Sequence, residues 1–164
     1  MMIDFLPAGR AIYIDTNDYR LVGAMAYVSK SGQSVAVTLH AATDPRHKYG
    51  PVSPARRVYL SANETRYVEK PEHLVNLAMH KSVRWLDDVA SNLWHAQVVV
   101  ACRPLREKCK PLLIAIAKTA RNHYGDKYWL AAGGRELLRN ELRLAGVSVP
   151  PFGAVTHFLP LATV

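Results

Sequence analysis

Three arginines stand four residues apart in Arg135-Glu136-Leu137-Leu138-Arg139-Asn140-Glu141-Leu142-Arg143. On a helix that spacing lines them up as one ridge. Each guanidinium is a planar fork that bonds two phosphate oxygens at once, so the ridge suits a polyanion; the bland alternative is a solvated helix face. The whole chain leans the same way. It carries 21 Lys+Arg against 13 Asp+Glu in 164 residues, a formal charge of +8, which favours an acidic partner such as DNA or RNA. Further cations stand beside aromatics. Arg46-His47-Lys48-Tyr49 is followed by Arg56 and Arg57, and the stretch Lys118 to Tyr128 holds Arg121, His123, Tyr124 and Lys127. Phosphates would meet the Arg and Lys side chains, and unpaired bases would stack on Tyr49 or Tyr124.

Other groups carry weaker chemical signals. Gly133-Gly134-Arg135 opens the arginine helix, where free amides can hold a phosphate, although a tight turn also needs glycine. Glu141 falls by helical angle among Leu137, Leu138, Leu144 and Ala145, inside an apolar arc, where a carboxylate needs a partner. That partner is an Arg or Tyr within the fold, or the position borders a polar cleft or a subunit contact. Cys102 and Cys109 have six residues between them and no second pair, a poor zinc pattern that reads as two reduced thiols. The seven histidines form no ligand pair, His73 and His80 being seven apart. There is no Gly-x-Ser-x-Gly and no complete nucleotide-binding glycine pattern.

The elements that position these groups follow from periodicity. Arg10–Asp15, Leu21–Val28 and Ser34–His40 read as strands with turns at Thr16-Asn17-Asp18 and at Gly32, a three-stranded antiparallel meander. Asp44 to Arg57, with three prolines and a glycine, reads as a basic loop, and Arg57–Ser61 as a short extra strand. Pro71 suits the first turn of an amphipathic helix over Glu72–Leu93. Ala96–Cys102 resembles a buried parallel strand. Pro111 opens a deeply packed helix that Gly125 ends, Tyr128–Ala132 reads as a strand, and the arginine helix closes at Gly146. Residues 147–164 contain three prolines and no charged side chain, so this apolar tail must cover something, in its own domain or on a neighbouring subunit.

This order of elements, from Arg10 to Gly146, resembles the ribonuclease-H-like architecture of nucleases, resolvases and transposases. The resemblance implies an α/β domain over 1–146 in which the meander leads into a mixed sheet. It also implies carboxylates that hold divalent Mg or Mn for phosphodiester cleavage. Asp15 would be the first metal ligand, at the end of the first strand. Asp88 (or Asp87) would follow from the next helix, and Glu136 and Glu141 from the last. No acid stands after the strand ending at Cys102, where Arg103 occurs instead. That departure points to a degenerate or inactive nuclease.

The reading is therefore a nucleic-acid-binding protein that contacts phosphates through Arg46, Lys48, Arg56, Arg57, Arg121, Lys127, Arg135, Arg139 and Arg143. The competing reading is a non-enzymatic assembly protein of a phage or mobile element that forms a homo-oligomer through residues 147–164. No apolar run is long enough to span a bilayer and the first residues lack a secretory pattern, so the expected setting is the cytoplasm, or a host's cytoplasm.

Overall fold

The computed structural model describes residues 3–43, 54–103 and 106–153. Among them are four strands, β1 (Ala11–Ile14), β2 (Leu21–Val28), β3 (Ser34–Ala41) and β4 (Ala55–Ser61), and four α-helices, α1 (Pro71–His80), α2 (Val83–Cys102), α3 (Arg106–Tyr124) and α4 (Ala132–Leu144). The protein is α/β. It divides into two compact units, where one domain over 1–146 is expected from the sequence. The first holds β1–β4, α1 and α2 as far as Val89; the second begins at Ala90.

In the first unit the strands form one antiparallel sheet in the order β1-β2-β3-β4. The alternation in β3 explains its orientation: Val35, Val37 and Leu39 are fully buried and the residues between them are half-exposed. Each such burial stabilises by about 1.5–3 kcal/mol. Val58 and Leu60 of β4 point the same way. Helix α1 packs against the sheet, and Leu74, Val75 and Ala78 enter the same core.

The mixed sheet implied by the ribonuclease-H-like resemblance is not present among the described residues. Ala96–Cys102 continues α2, because no glycine or proline stands between Leu93 and Cys102 to stop the helix. Its apolar run is not uniformly buried: Val98 is enclosed and Val99 is exposed. Tyr128–Leu130 is a single 3-10 turn, and α4 starts at Ala132. The expected helix over Glu72–Leu93 is two helices. Serine favours helix ends over helix interiors, and buried Ser82, just before α2, accepts a hydrogen bond from Arg56 Nε at 3.3 Å.

In the second unit Trp94 and Val98 of α2, Ala120 of α3, Tyr128, and Leu138 and Leu142 of α4 share a core with Val147 and Val149. Helix α3 is less deeply packed than its composition suggests, since Ile114 is 62% exposed. No helix among the described residues is long and apolar enough to cross a membrane.

Candidate nucleic-acid interface

The arginine ridge of α4 does not form a free cationic surface. Arg135 Nη1 donates to Ser91 Oγ at 2.8 Å and to the Trp129 carbonyl at 3.0 Å, and its guanidinium lies 3.7 Å from the Phe152 ring centroid. Arg139 Nε donates to the Val149 carbonyl at 3.3 Å. The Trp94 indole N–H donates to the Pro150 carbonyl at 2.8 Å. Together these groups hold residues 147–152 against their own unit, with Val147 and Val149 buried. Of the three arginines only Arg143 is fully on the surface. The first residues of the apolar tail thus cover their own core; residues 154–164 lie outside the described residues.

The paired glycines are also occupied with packing. A methyl group on Gly134 would run into the backbone carbonyl of Tyr128, and one on Gly133 into the Tyr124 hydroxyl. Glycine here lets the 3-10 turn and α3 close onto the start of α4.

The proposed acids stand exposed on separate elements. Asp15 is exposed just beyond β1, Asp88 is exposed on α2 in the first unit, and Glu136 and Glu141 are exposed on α4 in the second. Glu141 points to solvent because the buried stripe of α4 is Gly134, Leu138 and Leu142, while Leu144 is 78% exposed. Among the described residues no three His, Cys, Asp or Glu side chains come together to hold a metal. Asp18 orders the turn after β1. Arg20 grips it with Nε at 3.0 Å and Nη2 at 2.9 Å. Burial raises its carboxyl, but the hydrogen bonds and charge of Arg20 outweigh burial and hold it below its usual range.

The other predicted cations have different local settings. Arg46 and Lys48, with Tyr49, lie outside the described residues. Arg56 bonds Ser82. Arg121 lies 3.5 Å from Asp126 on an exposed face of α3, and Lys127 is exposed beside it. Arg57 has a different setting, the outer face of the sheet.

That face was missed in the sequence. Register places outward side chains in two rows across the strands: Ala11, Tyr27, Ala36 and Tyr59 in one, Tyr13, Met25, Thr38 and Arg57 in the next. Tyr59 is 61% exposed, Tyr13 54%, Met25 42% and Tyr27 37%. The Tyr13 hydroxyl donates to the Val22 carbonyl at 3.1 Å, so its ring lies across β2 over Gly23, where any Cβ would strike the phenol. Apart from Tyr13, these side chains, with Ser29, Ser34 and His40, line an open concavity of ≈ 530 Å³. Among the described residues no Asp or Glu lines it. Exposed Lys30 follows Ser29 at one end, and Arg57 stands toward the other. The arrangement can receive planar aromatic groups on its rings and an anion at its guanidinium.

The second unit has an aromatic cluster of another kind. His95 stacks on Trp129, with centroids 4.3 Å apart and planes 17° from parallel, and meets Tyr128 edge-on. Burial pushes the His95 pKa down, so its ring is neutral near pH 7. The Trp129 indole N–H donates to Asn92 Oδ1 at 2.8 Å. These rings are engaged with one another and brace the turn before α4.

No family model, no curated protein and no solved structure matches the chain.

Proposed function

We propose that this protein binds nucleic acid, and that the outer face of the β1–β4 sheet is the principal contact surface. The single observation behind the reading is that face: exposed tyrosines and an arginine around a hollow that no described carboxylate lines, on a chain of formal charge +8. An ordinary half-buried sheet turns polar residues to water. Here Met25 and Tyr27 face out while the smaller Ala24 and Ala26 face in. Large rings beside a guanidinium match a ligand that is both aromatic and anionic, as a nucleotide chain is. Arg57, with Lys30 at the far end, supplies the phosphate contacts, and the cations of the second unit, such as Arg121, Lys127 and Arg143, add to the net positive charge that attracts a polyanion. The function is binding; the described carboxylates give no support to a nuclease mechanism.

The test is a titration of the purified chain with labelled DNA and RNA at several salt concentrations. Affinity falls with salt, and Arg57→Gln lowers the slope of log K against log salt by about 0.7–0.9, the value of one phosphate contact. Binding that ignores salt, or no binding to any nucleic acid at low salt, contradicts the proposal.

A further inference from the structure

We infer that the sheet face takes single-stranded nucleic acid in an unstacked, extended form, with one base on Tyr27 and another on Tyr59. This rests on the nucleic-acid reading above and narrows it. Tyr27 and Tyr59 occupy one row, with Ala36 of β3 between them. Two strand spacings separate them by about 10 Å. Successive bases in a duplex are about 3.4 Å apart, so the rings are roughly three base steps from each other. A duplex also keeps its base faces inside the stack and offers only edges to a protein. Free bases have faces to give, and an extended strand crossing the sheet reaches both rings.

The face is shaped for this use. Ala11 and Ala36 alternate with Tyr27 and Tyr59, which leaves a hollow beside each ring for a base to enter. Arg57 stands two residues from Tyr59 on the same strand and face, about 7 Å along β4, a suitable reach from a base to its own phosphate. Tyr13 is held flat over Gly23 by its bond to Val22 and extends the aromatic floor beyond Met25. Among the described residues no carboxylate lines the hollow, so its walls present no negative charge to a polyanionic strand.

The experiment uses the full chain and a short mixed-sequence DNA oligonucleotide, alone and annealed to its complement. Thermal unfolding checks that the surface variants remain folded. The single strand binds more tightly than the duplex. Tyr59→Ala and Tyr27→Ala each weaken single-strand binding roughly 5- to 160-fold, the loss of one base–ring stack, whereas Tyr59→Phe keeps most of it. Equal affinity for duplex and single strand, with Arg57→Gln weakening both and the tyrosine variants unchanged, overturns the stacking inference while leaving nucleic-acid binding intact. Absence of binding in any form overturns both. If Tyr59→Ala instead dissociates a dimer of this chain and leaves oligonucleotide affinity unchanged, the face belongs to a second copy and the inference fails.

Discussion

Replacing Val149 by alanine tests whether the segment after α4 belongs to its own unit. Val149 is 5% exposed, its carbonyl accepts from Arg139, and the next carbonyl accepts from the Trp94 indole. Removing two methyl groups forfeits about 1.6 kcal/mol of transfer free energy at ~0.8 per carbon. The space left behind adds to that, since the surrounding side chains collapse only partly. A total of about 2 kcal/mol corresponds to a fall in unfolding temperature of about 8–16 °C for a cooperative unit of this size. The chain has three tryptophans: Trp85 lies in the first unit, Trp94 and Trp129 in the second. In a Trp85→Phe background, tryptophan fluorescence therefore reports on the second unit alone. The exposed neighbour Ser148 serves as control, and Ser148→Ala should stay within about 0.5 kcal/mol. If Val149→Ala leaves the fluorescence transition where it was, the segment is not held as described. A concentration-dependent transition lost in the variant would show that the contact is made between copies, as the oligomer reading supposed.

Gly134→Ala should destabilise the second unit by about 1–3 kcal/mol in denaturant unfolding through its clash with Tyr128, and should leave nucleic-acid affinity unchanged; a specific loss of affinity without loss of stability would restore the phosphate-cradle idea. Arg135→Ala should lower the stability of the second unit, whereas Arg143→Ala should not, which thermal unfolding distinguishes. His95 has a folded pKa depressed by burial, so the unfolded chain takes up the proton first as pH falls below about 6.5. Stability is therefore full above that pH and declines as pH drops toward the folded value. Unfolding followed against pH should show this decline in the parent and a flatter profile in His95→Gln.

Several elements were legible in the sequence, and the reasons for success and failure are physical. The alternation of Val35, Val37 and Leu39 marked β3 because one face of an antiparallel strand must be buried. Pro71 marked the start of α1 because its missing N–H is not needed there. Ala96–Cys102 was misread because a short apolar run suits a buried strand and a buried helix equally. The ridge of Arg135, Arg139 and Arg143 was correctly spaced, but spacing does not say which residues fold back onto it. Val149 and Phe152 arrive from beyond a helix end, with no local pattern to announce their contacts with Arg139 and Arg135. The carboxylates were placed by the ribonuclease-H-like resemblance, which supplied an order of elements but no motif to fix Asp15 or Asp88 in a common site. A signal for the sheet face was present in β2, where Met25 and Tyr27 alternate with the smaller Ala24 and Ala26. Reading hydrophobicity alone hid it, because both sets are apolar; comparing their sizes would have shown which set had no core to fill.

The outer sheet face is where the proposed nucleic-acid contact lies. Amide chemical-shift mapping of the labelled chain, titrated with a short single strand at low salt, tests it most directly. The largest changes are expected on Tyr27, Ala36, Thr38, Arg57 and Tyr59, with the amides of Arg135 and Arg139 little moved. Changes confined to α3 and α4, with the sheet face silent, would contradict it.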